Sequence, residues 1–232
     1  MKKLFVVATI LSLGASCSLS QDVVPNIRSG STAVLFSFGG LSFLSAGTFD
    51  GGLGARYYLS QAMSVRVGIQ FTSASETISA NPAAQQSGAD GSNSATVMGV
   101  EGAAEWHMGR GRVMPYLGLG AAFSTTSTDS KPVRVGAPPV TQPETKNASG
   151  GLTVNGTTYF GGTSIQVFAL VGVEFFLYRE LSLAAEYQLG YMKTSRKDEE
   201  FINGTTTTTT KVGSASNLGI TNSGALTLSV YF

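Results

Sequence analysis

The sequence predicts an all-β fold of eight antiparallel strands, wound up-and-down into a barrel with tight turns at one end and long loops at the other. Three observations carry that expectation. Apolar and small or polar residues alternate with a period of two through most of the chain, as in strands whose two faces meet different surroundings. The connections between these runs alternate between short and long. Charged residues inside the runs fall almost entirely on the parity rich in Gly, Ala, Ser and Gln.

The N-terminus is of a different kind. Lys2 and Lys3 precede an apolar core from Leu4 to Leu13 and small residues leading to Ser18, Leu19 and Ser20, so residues 1–20 read as an export signal cleaved after Ser20. The apolar core is too short to span a bilayer, where a helix needs ~20 residues. The single cysteine, Cys17, lies inside this segment, so the mature chain is expected to have no disulfide and no thiolate site. Residues 14–17, "GASC", resemble a bacterial lipoprotein signal, with Gly14 where that pattern prefers Leu. Residues 21–30 form a short segment ahead of the barrel, which takes up 31–232.

Within the barrel, the first strand, about Thr32 to Leu44, loses its parity after Gly39. Leu53 to Ser60 sets Leu53, Ala55, Tyr57 and Leu59 against Gly54, Arg56, Tyr58 and Ser60. Met63 to Thr72 sets Met63, Val65, Val67, Ile69 and Phe71 against Ser64, Arg66, Gly68, Gln70 and Thr72. Ser94 to Met108 places Met98, Val100 and Trp106 opposite Glu101, Ala103, Glu105 and His107. Val113 to Thr125 places Leu117, Leu119 and Phe123 opposite Tyr116, Gly118 and Gly120. Thr163 to Tyr178 is apolar on both faces, with Phe168, Leu170 and Phe176 sharing a parity with Glu174. Leu181 to Met192 and a closing strand, about Asn217 to Phe232, complete the set.

The connections run short at 60–62, 109–112 and 179–180, and long at 77–93, 129–162 and 197–213; only 45–49 is short where a long one is allowed. Structureless stretches of thirty or so residues are unusual in a compact domain. A meander with tight turns on one rim and displayed loops on the other accounts for them. "NGTTTTTT" (203–210) and the Pro, Gly, Ser and Thr-rich 129–162 read as mobile exposed loops. The glycosylation-type sequons at Asn147, Asn155 and Asn203 are expected to be coincidental.

Charge decides which face meets which solvent. Charged residues are 12% of the chain, about half the usual ~25%, and the net charge of +1 gives no field for nucleic acid. A soluble carrier barrel of the lipocalin kind would spread Lys and Glu over its outside. Here Arg56, Arg66, Glu101, Glu105, Glu174 and Glu186 share the small-residue parity, so that face turns inward and the Leu, Val and aromatic face turns to lipid. A closed barrel is the β-architecture that satisfies every backbone group in hydrocarbon. Tyr57, Trp106, Tyr187 and Phe232 are expected as an interfacial aromatic girdle at the tight-turn rim, and Phe71, Phe123 and Tyr191 as the other.

"GGLGARYYLSQAMSVRVGIQF" (51–71), "PYLGLGAAF" (115–123), "LSLAAEYQLGY" (181–191) and Phe232 resemble the small outer-membrane β-barrel family of the OmpA/OmpX-like type. That resemblance covers essentially residues 30–232. It implies a transmembrane barrel in the outer membrane of a Gram-negative-type bacterium, with residues 21–30 and the short turns periplasmic and the long loops extracellular. It also implies that Phe232 helps the barrel assembly machinery recognise the chain. Outer-membrane lipids and lipopolysaccharide are the implied surroundings, a monomer the implied state. The peptidoglycan-binding domain of the OmpA type has no counterpart in these residues.

The interior charges are the best-defined constellation. Arg56 and Arg66 flank one tight turn at matching parity, so they are expected as cross-strand neighbours that something must neutralise. Glu105, Glu174 and Glu186 lie at a similar distance from the same rim, so an Arg/Glu network plugging the lower lumen follows. A narrow porin-like path through these charges is the alternative. His107 is the only histidine, and it stands at the wrong end of its strand for the outer-leaflet catalytic sites of barrel lipid enzymes. No catalytic residue, cofactor or metal site is expected. The function expected is a structural or adhesion-like surface role, with loops available to an extracellular partner.

Overall fold

The computed structural model describes residues 24–25, 27–38, 48–80, 89–133 and 143–232. The export signal, the connection at 45–47 and the first strand beyond Phe38 lie outside these. Every regular element among the described residues is a strand: β1 (Thr32–Phe38), β2 (Thr48–Tyr58), β3 (Met63–Ile78), β4 (Gly91–His107), β5 (Val113–Lys131), β6 (Glu144–Lys146), β7 (Leu152–Val154), β8 (Thr157–Tyr159), β9 (Gly162–Tyr178), β10 (Leu181–Arg196), β11 (Glu199–Asn203), β12 (Thr206–Thr210) and β13 (Ser214–Tyr231).

The eight long strands pair antiparallel in the order β1, β2, β3, β4, β5, β9, β10, β13, and β13 pairs again with β1. The pairing is uneven. The seam joins Ala33–Phe38 to Leu226–Tyr231, whereas β3 and β4 stay in register all the way from Met63↔Trp106 to Ile78↔Gly91. Just past the seam, the Phe232 N–H donates to the Thr32 carbonyl at 2.9 Å.

Side-chain alternation follows the pleat. On β3, Ser64, Arg66, Thr72 and Ala74 are buried while Val65, Val67, Ile69 and Phe71 are exposed. On β1, Ala33 and Leu35 turn inward and Phe36 outward, so the parity missing from the sequence pattern is present in the first half of that strand. Inward glycines make room for large interior rings: a Cβ at Gly120 would lie 2.5 Å from Phe168 Cζ, and one at Gly172 would collide with the Tyr116 ring. β3, β4, β5, β9, β10 and β13 run 16 to 19 residues, longer than the ~9–11 a tilted strand needs to cross a bilayer. They therefore project well past Phe71, Phe123 and Tyr191.

Residues 81–88 and 134–142 of the long connections lie outside the described residues, but the described parts correct the expectation of structureless loops. β5 runs on to Lys131, β6 adds to its edge, and β11 and β12 extend that sheet. Between them β7 and β8 form a hairpin whose turn is Asn155-Gly156, with φ of 49° and 80°. Two successive positive φ values are what a tight two-residue hairpin turn requires, and Asn-Gly supplies them cheaply. Leu152 and Val154 of this hairpin are buried against Ala74 and Ala95 on the inner wall, and Asn155 Nδ2 donates to the Ser75 carbonyl. The hairpin is thus folded onto the rim by apolar burial that period-two reading of three-residue strands does not reveal.

Candidate functional site: the interior charge cluster

The register sets Arg56 directly opposite Arg66, a pairing of like charges that needs intervening anions. Glu105, from β4, lies between them. Its Oε2 is 2.9 Å from Arg56 Nε and its Oε1 3.1 Å from Arg66 Nη1. On the far wall, Glu174 of β9 takes Arg56 Nη1 at 3.0 Å. Glu186 of β10 takes Arg66 through both terminal nitrogens, at 2.7 and 2.8 Å. The cluster spans the lumen, because β2 and β3 lie across it from β9 and β10. The side chains of Arg56, Glu105 and Glu174 are 0% exposed.

Hydroxyls and an amide satisfy the remaining carboxylate lone pairs. Tyr231 OH receives Arg56 Nη1 at 2.9 Å and donates to Glu174 Oε1 at 2.6 Å, while Ser182 Oγ donates to the same oxygen. Tyr116 OH and Gln188 Nε2 donate to Glu186, and Ser64 Oγ donates to Glu105. His107 is buried in the same cluster. Its Nε2 lies 3.1 Å from Ser64 Oγ and 3.4 Å from Glu105 Oε2, and its ring stacks on Tyr116. Removing charges from water costs several kcal/mol per ion, which ion pairs and hydrogen bonds of this density offset, although His107 Nδ1 is buried without a hydrogen-bond partner among the described residues.

Glu101 stands apart. Its side chain is 33% exposed and 3.6 Å from Arg66 Nε, on the upper margin of the cluster, where inward-facing Gln70 is exposed as well. The inside is therefore more open beside Glu101 of β4 and Gln70 of β3, while Phe168 and Leu170 of β9 stay buried next to Tyr116. On the tight-turn side of the charges an apolar floor is formed by Tyr58, Met114 and Phe176, continuing through Tyr231 to Ala33 and Leu35 of β1, with Ile27 packed against it from the N-terminal segment. That segment is tied to the β2 end: Gly30 N–H donates to the Tyr58 carbonyl, Tyr58 N–H to the Ser31 carbonyl and Ser29 Oγ to the Leu59 carbonyl. Pro25 is buried beneath.

Arg56, Arg66, Glu105, Glu174 and Glu186 thus come together, and Glu101 joins at the edge. The members not assigned to the network from sequence are Tyr58, Tyr116, Tyr231, Ser64, Ser182, Gln188 and His107, the last weighed there only as a catalytic candidate. The signal was parity: Tyr58 shares a face with Arg56, and Tyr116 with Gly118 and Gly120. The outward aromatics spread over more than one level. Tyr57 and Trp106 stand one residue from a strand end beside a tight turn, and Phe232 one residue past β13, but Tyr187 is six residues up β10, about 20 Å along the strand at ~3.3 Å per residue. All four are exposed, Trp106 at 39% and Phe232 at 79%. Among the described residues no group of three or more His, Cys, Asp or Glu side chains is arranged to hold a metal.

Among solved structures, Neisserial surface protein A is 16% identical to this chain, with 87% of this chain and 92% of that one covered at a TM-score of 0.37. A major outer membrane protein from Thermus thermophilus is 11% identical, with 88% and 100% covered at 0.43. OprG from Pseudomonas aeruginosa is 10% identical, with 88% and 97% covered at 0.42. No curated protein sequence matches. The family profile of the outer membrane protein beta-barrel domain matches residues 6–220, which is most of the chain, and the chain belongs to that family.

Proposed function

We propose that the eight long strands close into a barrel spanning the outer membrane, and that its lower lumen is a structural plug rather than a path for solutes. On this reading the export signal is removed after Ser20, the tight turns face the periplasm and the long connections face outward. The observation that carries the plug is the Arg56–Glu105–Glu174 triad, bonded from wall to wall with no exposed side-chain surface. Opening a path there means breaking buried ion pairs, and the apolar floor under Ile27 closes the same end a second time.

The protein then acts as a monomeric surface element. Outer-membrane lipids and lipopolysaccharide surround its apolar belt, the assembly machinery inserts it through a signal that includes Phe232, and the β6, β11 and β12 sheet is presented to an extracellular partner. The barrel needs no catalyst's geometry for that role. Recording from the full mature chain in planar bilayers tests the plug. The expected record is silent at the single-channel level. Steady ohmic openings that disappear on charge reversal at Arg56 or Glu174 would instead establish the narrow channel.

A further inference from the structure

The charges at the tight-turn end are sorted in a way the plug does not use. Among the described residues of that rim, the cations are Arg28, Arg110, Arg112 and Arg179, and the only carboxylate side chain is Glu180. At the opposite end Lys131, Lys146, Lys193, Arg196, Lys197 and Lys211 are mixed with Glu76, Asp90, Asp129, Glu144, Asp198, Glu199 and Glu200. The tight-turn rim is therefore a net positive ring of arginines, the side chain whose planar fork suits phosphate.

Two of the four, Arg112 and Arg179, flank one notch on the outside, whereas Arg110 lines a cleft with Pro25, Ile27 and Met114. β5 begins opposite the end of β9, with Val113 paired to Phe175, so the turn carrying Arg110 and Arg112 lies beside the turn carrying Arg179. Arg112 is fixed on the outer surface. Its guanidinium carbon sits 4.6 Å from the centroid of the Phe175 ring, and Nε donates to the Phe176 carbonyl at 3.1 Å. From this point an apolar lane runs up the outside, with Val113, Leu117 and Leu119 exposed on β5 and Val171 and Val173 on β9. Exposed Tyr178 stands beside Arg179, at the level where amphipathic rings anchor to headgroups.

We propose that this notch between the β4–β5 and β9–β10 turns binds an anionic phospholipid of the periplasmic leaflet. The phosphate lies against Arg112 and Arg179, and the acyl chains lie along the β5–β9 lane. The site rests on the reading that these strands cross the membrane with their tight turns in the periplasm. It fixes the rotational face at which the barrel holds one lipid class, and charge complementarity selects that class: a zwitterionic headgroup brings a compensating cation to a rim already rich in arginine.

Trp106, the single tryptophan, is a built-in reporter, since it is exposed at the end of β4 and paired with Leu117 of the lane. The full mature chain is reconstituted in phosphatidylcholine vesicles containing brominated phosphatidylglycerol or brominated phosphatidylcholine, and quenching of Trp106 is compared. Phosphatidylglycerol is expected to be preferred on the order of fivefold per engaged arginine, from the attraction of basic residues to an anionic surface. The preference is expected to shrink in molar salt and in R112Q/R179Q. Equal quenching by the two lipids, or a preference untouched by R112Q/R179Q, would overturn the site while leaving the barrel intact. Loss of quenching by both lipids would overturn the membrane reading, and the site with it. Unchanged quenching by brominated phosphatidylcholine in R112Q/R179Q shows that the variant is folded and inserted.

Discussion

Replacing Arg56 with methionine is expected to destabilise the folded barrel by about 3–5 kcal/mol, because it strands Glu105 and Glu174 as buried charges without their shared partner. The measurement is reversible urea unfolding in detergent micelles, followed by the folded, heat-modifiable band. The change is asymmetric. Arg56→Met combined with Glu174→Gln is expected to recover part of the loss, since the second substitution removes an uncompensated charge while its amide still bonds to Ser182 and Tyr231. A double variant no more stable than Arg56→Met would show that Glu174 is not the partner that matters. Arg66→Met is expected to be milder: Glu186 keeps its hydrogen bonds from Tyr116 and Gln188, and Glu101 is already partly in water.

The second large effect belongs to the outside. Val67 is 63% exposed on β3, one residue from buried Arg66, with its side chain on the outward face, which the proposed membrane-spanning barrel turns to lipid. Val67→Arg is expected to cost about 2–4 kcal/mol at mid-membrane depth. Gln70→Arg, three residues along on the lumen face, is expected to stay within about 1 kcal/mol, because its surroundings are wet. The same urea titration reads both. Equal costs at the two positions would mean that the faces of β3 are not sorted between lipid and lumen.

These contrasts follow from a pattern already visible in the chain. Val65, Val67, Ile69 and Phe71 against Arg66 and Gln70 is legible because a strand with two unlike surroundings must alternate. The Arg56–Arg66 pairing follows from that alternation and one short turn. Tyr116 and Tyr231 were harder to place. A tyrosine near a strand end serves equally well at a headgroup interface or as a buried donor to a carboxylate, and only the partner across the lumen decides. Those partners are distant in the chain: Glu186 is 70 residues from Tyr116, and Glu174 is 57 from Tyr231. His107 belongs to the same class, since its neighbours Ser64 and Tyr58 come from β3 and β2.

The long connections were opaque for another reason. β6, β7 and β8 are three residues each, too short for periodicity to register, and Leu152 and Val154 bury against Ala74 and Ala95 of β3 and β4, far away in the chain. The Asn155-Gly156 pair carried the local signal. The N-terminal segment is similar: Ile27 has no periodic company, and its burial depends on the floor formed by Met114 and Phe176.

A closed barrel inserted in the outer membrane is put to the test by electrophoresis of the unboiled membrane fraction. The expected result is a compact band, recovered with the outer membrane, that migrates differently after boiling. A band in the same position before and after boiling, or recovery in the soluble fraction, would show that no closed membrane barrel forms.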